Sequence, residues 1–297
     1  MGGPRLVLER DGRDWPNRAA SRHVTAAGFR WHVQIAGDGP PILLIHGTGA
    51  ATHSWRGAFA TLAKSHTVIA PDLPGHGFTE TPPGGRLTLP GMAQATSALL
   101  KSLDLAPVLA VGHSAGAAIG ARMVLDGGIA PSRLISLNGA FLPFGGIAGQ
   151  LFQPIAKMLF VNPFVPGYFA RRTANPAVIE RMIDETGSTI DAEGRDLYRR
   201  LASNPAHVAG ALGMMASWNL RPLLAELPRL GSRLVLVVGT NDRTVRPEDS
   251  EEVARLVPGS KLVRWRGLGH LAHEEKPALF VDLVTTTMAG LGAGAPA

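Results

Sequence analysis

The chain has 297 residues, 45% of them hydrophobic and 18% charged, enough for one large core or for a domain carrying an insertion. It has no cysteine, which excludes disulfides, thiolate metal sites and cysteine nucleophiles. The net charge of +6 comes from scattered residues: Arg171–Arg172 and Arg199–Arg200 are pairs rather than a polybasic tract, and no zinc-finger spacing, RNP-like stretch or basic helix points to nucleic acid.

The opening residues, MGGPRLVLERDGRDWPNR, are mixed in charge and lack an apolar run of signal-peptide length. No stretch approaches the roughly 18 apolar residues that span a bilayer. A soluble, cytoplasmic protein is expected. RHVTAAG and FRWHVQIAG alternate apolar and polar residues and predict an antiparallel hairpin on a sheet edge. PILLIHG (41–47) reads as a buried strand, followed by a helix near 55–64. HTVIAPD (66–72) repeats the pattern, with a helix near 89–103. VLAVGHS (108–114) runs into AGAAIGARMVL, and RLISLNG (133–139) follows. After a long gap come RLVLVVGTND (233–242) and KLVRWRGLGH (261–270), separated by PEDSEEVARLV with acids in its first turn. PALFVDLVTTTMAGL closes the chain as a helix. Continuous Val/Ile/Leu runs alternating with helices predict an α/β class: a mostly parallel sheet covered on both faces.

Residues 141–230 break this rhythm. They contain no convincing strand but hold Phe141, Phe144, Phe152, Phe160, Phe164 and Phe169, joined by Met158, Met182, Met214, Met215, Tyr168 and Trp218. Structureless loops of this length are uncommon in compact domains, so the segment predicts an inserted helical lid, with 1–140 and 231–297 forming the core. Each of its aromatics serves equally well as the insert's own core. Within it, IAGQLFQPIAKMLF is either lid core or an interfacial helix giving peripheral membrane contact.

Gly112-His113-Ser114-Ala115-Gly116 fits G-x-S-x-G, a weak pattern by itself in a chain with 36 glycines. Its context is stronger: it ends a buried strand and opens a small-residue helix, the setting of a nucleophile elbow. Small neighbours let the backbone turn sharply and leave the Ser114 hydroxyl prominent. A serine needs a base, and the base an orienting acid, in the order Ser, Asp, His. Asp242 ends one late strand and His270 the next. His273, three residues on, is the alternative base, with a capping or surface role as its default. His46 and His76 sit in glycine-rich turns and suit structural hydrogen bonds; Asp72 suits an N-cap or turn. The other acid position of this architecture follows RLISLNG, which offers only Asn138 and Gly139. Oxyanion donors are expected from the backbone N–H of Ala115 and of Thr48, with Gly49 as the alternative to Thr48. His113, beside the nucleophile, is placed to line the pocket with Phe144 and Trp218. No pair of histidines lies at ligand spacing beside a carboxylate with a third ligand near, so neither a metal nor another cofactor is expected.

The motifs HGTGA, PDLPGHGFT, GHSAG, GTND and GLGHLAHEE fall in the order of the α/β-hydrolase superfamily, which the chain resembles from about residue 22 to 288. That resemblance implies an α/β-hydrolase fold with an eight-stranded sheet. Longer strings, DWPNRAASR, FRWHVQ, HGTGAATHSWR, LPGHGFT, GHSAGAAI and LNGAFLPF, resemble the magnesium-chelatase accessory α/β hydrolases of bacteriochlorophyll biosynthesis. The narrower resemblance implies a role beside magnesium insertion into a porphyrin and supplies no defined reaction. It makes a large apolar tetrapyrrole the expected ligand and magnesium chelatase a candidate partner. A Phe/Met-rich lid suits such a ring, and Arg171 or Arg172 suits its carboxylates. Two readings stand: a serine hydrolase, or a non-catalytic tetrapyrrole-binding or chelatase-accessory protein. Relatives that cleave epoxides or carbon–halogen bonds use an aspartate nucleophile, which Ser114 argues against.

Overall fold

The computed structural model describes residues 3–82, 86–143 and 162–292. Eight strands form one sheet: β1 (Ser21–Ala26), β2 (Phe29–Ala36), β3 (Ile42–Ile45), β4 (Val68–Pro71), β5 (Leu109–His113), β6 (Arg133–Leu137), β7 (Leu234–Gly239) and β8 (Lys261–Trp265). Their order is β1-β2-β4-β3-β5-β6-β7-β8. β2 is antiparallel to both neighbours, and the pairs from β4 through β8 are parallel. The edge hairpin and the mostly parallel eight-stranded sheet agree with the sequence.

The strand residues alternate between two cores. Leu43 and Ile45 face a layer containing Met92, Ile119 and Val253; Ile42 and Leu44 face Trp55, Phe59 and Phe280. The first layer carries helices α3 (Leu89–Ser102), α4 (Ala115–Leu125) and α10 (Pro247–Leu256). The second carries α2 (Arg56–Leu62) and α12 (Pro277–Gly292). A short α11 (Ala272–Glu275) precedes α12, and a single-turn α1 (Leu8–Asp11) lies near the N-terminus.

Between β6 and β7 the described residues hold helices and no strand: α5 (Val165–Thr173), α6 (Pro176–Glu185), α7 (Ala192–Ala202), α8 (Pro205–Ala216) and α9 (Arg221–Glu226). The stretch containing Phe144, Phe152 and Phe160 lies outside the described residues, as does the whole of IAGQLFQPIAKMLF. No described helix is long and apolar enough to cross a membrane.

The N-terminal arm clasps α7. Leu8, Trp15, Phe78, Leu197 and Leu201 form a satellite core. The Trp15 indole donates to Thr52 Oγ1 at 2.9 Å, and Arg200 lies over its ring while pairing with Asp14 at 2.9 Å. Asp72 is more than the turn residue its position suggests. It is fully buried, accepts the Thr52 and Phe78 amides at 2.7 and 2.9 Å, and pairs with His32 Nδ1 at 2.7 Å. His32 Nε2 in turn meets Ser21 Oγ at 2.9 Å. Burial alone would raise the Asp72 carboxyl, but the neighbouring His32 and the amide bonds hold it below the usual carboxylate range.

Candidate active site

Ser114 joins β5 to α4 with φ +52° and ψ −119°, a conformation that costs a non-glycine residue about 1–3 kcal/mol. Three backbone bonds hold it: Ser114 N donates to Leu137 O at 3.0 Å, and Ser114 O accepts from Ala117 N and Ala140 N, each at 3.1 Å. The surrounding glycines are sterically required. A Cβ on Gly116 would stand 2.2 Å from Ile45 O, and one on Gly112 would stand 2.4 Å from Ala117 N. Although Ser114 occupies the N-cap position of α4, its hydroxyl makes no capping bond. Ala115 is the first helical residue, so its N–H has no partner within the helix.

Asp242 and His270 meet: Asp242 Oδ2 lies 2.8 Å from His270 Nδ1. Both residues sit in loops rather than at strand ends, three residues past β7 and five past β8. Asp242 Oδ1 accepts the Thr244 and Val245 amides at 2.8 and 2.9 Å, which fixes the carboxylate. Because a carboxylate only accepts, His270 carries its proton on Nδ1 and leaves Nε2 as the basic atom. Ser114 and His270 line the same cavity.

Sequence reasoning missed what holds His270. Asn138, at φ +46° after β6, donates to Gly269 O at 3.0 Å and His270 O at 2.8 Å, while its oxygen accepts Gly239 N at 2.8 Å. The residue read as a missing acid is thus a brace for the histidine loop. His113 does the same from below. It lines the cavity, but its ring is buried and Nε2 donates to His270 O at 2.9 Å. Burial, with His273 and His270 beside it, pushes His113 well below the usual histidine range. The helical segment between β6 and β7 contributes as well: Thr186 O accepts the N–H of both Arg243 and His270, at 3.2 and 3.3 Å, and Ser188 Oγ accepts Leu271 N at 2.8 Å.

His273 is neither a surface residue nor a cap. It is buried, its Nε2 pairs with Ser54 Oγ at 2.7 Å, and burial followed by the nearby His270 lowers it to about 3. Next to it, buried Glu274 is bonded by Arg56 and by the Tyr198 hydroxyl, and Arg56 also pairs with Asp191 at 2.6 Å. This ionic cluster ties α7 to the core directly behind the histidine loop. His46 and His76 are structural, as expected: His46 Nε2 accepts Leu73 N at 2.8 Å and His76 Nδ1 lies 3.1 Å from Pro74 O.

The cavity measures about 1140 Å³, above the roughly 300–1,000 Å³ of most small-molecule sites. Thr48, Gly49 and Ala115 border it beside Ser114, and its walls include Phe169, Met182, Met214, Met215 and Trp218. Gly47 packs so closely that a Cβ there would stand 3.0 Å from Ser114 Cβ. Arg171 and Arg172 are exposed and lie outside the lining. The spacing explains this: α5 buries Pro166, Ala170 and Thr173 and turns Phe164, Tyr168 and the two arginines outward. The cations that do border the cavity are Arg243 and Arg246, the latter paired with Asp249 at 2.9 Å. Phe144 lies outside the described residues. Among the described residues no cluster of three or more His, Cys, Asp or Glu is arranged to hold a metal ion.

Residues 40–277 match the sequence family of the alpha/beta hydrolase fold. The chain is 39% identical to the magnesium-chelatase 30 kDa subunit of Rhodobacter capsulatus over 88% of its own length and 92% of that protein. Among solved structures, epoxide hydrolase CorEH superposes with a TM-score of 0.76 at 23% identity, covering 91% of this chain and 99% of that one. An esterase from Thermogutta terrifontis gives 0.71 at 22%, covering 91% and 98%. At those identities the two structures speak for the fold alone. By family match and by architecture, the chain belongs to the alpha/beta hydrolases.

Proposed function

We propose that this protein is a serine hydrolase with Ser114 as nucleophile, His270 as proton shuttle and Asp242 as its orienting acid, acting in bacteriochlorophyll biosynthesis near magnesium chelation. The carrying observation is the buried 2.8 Å His270–Asp242 pair, whose histidine lines the same cavity as a strained, uncapped Ser114. His270 Nε2 takes the hydroxyl proton as Ser114 Oγ attacks a carbonyl carbon. Asp242 holds the ring and balances its transient charge. The carbonyl oxygen, now anionic, is received by the Ala115 and Thr48 amides at the positive end of α4. His270 then delivers the proton to the leaving group, and water repeats the sequence to free the enzyme. The span 141–230 acts as the cover over this cavity, with residues of α5–α8 in its lining.

The likeness to the magnesium-chelatase 30 kDa subunit supports the pathway and a chelatase association. A large apolar cavity with Arg243 at its border suits a tetrapyrrole carrying a carboxylate, and moves the anion-reading role away from Arg171 and Arg172. Phe164 and Tyr168, exposed at 83% and 58% and outside the cavity lining, support peripheral membrane contact at the start of α5. The same relative favours a second reading, a non-catalytic tetrapyrrole-binding or chelatase-accessory role.

A fluorophosphonate probe separates the two. Wild type labels, Ser114→Ala and His270→Ala do not, and ester turnover by the variants falls about 10⁴–10⁶-fold. An unlabelled wild type, or pigment synthesis fully sustained in cells by Ser114→Ala, would overturn the hydrolase reading in favour of the second.

A further inference from the structure

Helix α8 touches the loop at residues 46–50 along a single face. Its first turn is capped by Asn204, whose Oδ1 accepts His207 N at 3.0 Å and whose amide donates to Pro4 O of the N-terminal arm at 2.9 Å. His207 is 4% exposed. Its Nδ1 accepts the Gly77 amide at 3.0 Å, so the ring proton resides on Nε2, which donates to Gly49 O at 3.1 Å. One turn later the helix backbone rests on the PGHG turn, where a Cβ on Gly210 would stand 2.0 Å from Gly75 O. One turn further, the Thr48 hydroxyl donates to Met214 Sδ at 3.5 Å. Positions 207, 210 and 214 follow the i, i+3, i+7 spacing of one helical stripe. His207 and Met214 also border the cavity, together with Val208, Ala211 and Met215 on the adjoining stripe.

The loop under this stripe is tied by its own bonds at Gly47, whose carbonyl accepts from His46 Nδ1 at 2.7 Å and from Ala50 N at 3.2 Å. It reads HGTGA, and Gly49 sits at φ +76°. A transition-state donor must be held to a fraction of an ångström, since a 1 Å displacement costs about 10²-fold in rate. We propose that His207 is a positioning residue that pins Gly49 from helix α8 and, together with the bonds at Gly47 O, holds the direction of the Thr48 amide. This inference rests on the oxyanion role given to Thr48 above. On this reading α8 is the part of the cover joined to the loops at residues 46–50 and 74–77.

Three variants test it, because asparagine and glutamine each reproduce one ring nitrogen. His207→Gln places an N–H donor where Nε2 stands and keeps the Gly49 bond. His207→Asn places an acceptor where Nδ1 stands and keeps only the Gly77 bond. His207→Ala keeps neither. With p-nitrophenyl butyrate, Ala and Asn are expected to lower kcat about 10–100-fold with KM within about threefold, and Gln to recover most of the loss. Inhibition by an aryl trifluoromethyl ketone, whose adduct with Ser114 is a tetrahedral oxyanion, should weaken by the same factor. Hydrogen exchange of the 46–52 backbone reads the brace without any chemistry: faster in Ala and Asn, unchanged in Gln. Failure of wild type to cleave any ester would refute the hydrolase reading, and the exchange arm would still decide the brace. Equal behaviour of Gln and Asn, or an Ala variant with a lower Tm but unaltered kcat and 46–52 exchange, would overturn the inference.

Discussion

Asn138→Asp changes one NH2 group to oxygen and asks the most of the histidine loop. The native side chain is 1% exposed and donates twice, to Gly269 O and His270 O at 3.0 and 2.8 Å, while accepting Gly239 N at 2.8 Å. The introduced carboxyl keeps the acceptor but, once ionised, sets an anionic oxygen against two carbonyl oxygens. Burial and those carbonyls favour its neutral form, raising its folded pKa above the unfolded value of about 3.9. The folded state then holds the proton more tightly than the unfolded one, so the variant is least impaired below pH about 4. There it lacks one hydrogen bond, worth about 1 kcal/mol. Above pH 4 the deficit grows by about 1.4 kcal/mol per pH unit until the folded pKa is passed. A rise of about 3 units gives a deficit of roughly 5 kcal/mol at pH 8, a Tm lower by about 10–20 °C in a chain of this size. Thermal melts of both proteins at pH 4.5 and pH 8 measure the difference directly. A difference under 2 °C at pH 8, or one independent of pH, would refute the assignment of Asn138 as the brace of His270.

Two further outcomes follow from groups around the site. His273 and His207 are lowered by burial to about 3 and about 4, and His53, His76 and His113 lie well below their ordinary value of 6.5. Depressed folded pKa values mean that the unfolded chain binds more protons. Stability is therefore complete above pH about 6.5 and is lost as pH falls from there through 4 to 3, with each histidine adding up to about 1.4 kcal/mol per unit. Calorimetric Tm values measured between pH 8 and 4 check this, and a flat profile down to pH 5 would contradict it. Arg243→Glu should raise KM about tenfold for a p-nitrophenyl ester bearing a distal carboxylate, against no more than twofold for its neutral analogue. The double variant Arg171→Ala plus Arg172→Ala should leave both unchanged. Equal effects of the two sets of changes would return the anion site to α5.

The frame of the fold was legible because buried parallel strands write themselves as Val/Ile/Leu runs. LVLVV and ILLI pack on both faces and tolerate little else. The elbow was legible because steric demand at Gly112 and Gly116 leaves a compositional trace. Side-chain direction on short helices was not: α5 has nine residues, and its arginines, placed in the cavity by proximity to aromatics, lie on the outer face. His270 reads as the end of a strand because KLVRW runs on through Arg266 to GLGH, yet the stretch containing Gly267 and Gly269 carries it five residues beyond β8. Asn138 left one signal that went unread. An Asn-Gly pair ending a buried strand marks a left-handed residue whose amide must find partners in the interior.

The chain of Ser21, His32 and Asp72 has the same chemical make-up as the proposed catalytic set and shorter imidazole–carboxylate spacing, 2.7 against 2.8 Å. It borders no part of the large cavity, and its imidazole is sealed from solvent. Composition and imidazole–carboxylate distance alone therefore do not tell the two sets apart. Both alcohols are half-buried, so what separates a fastening from a reactive centre here is whether the alcohol opens on a cavity that a foreign molecule can fill.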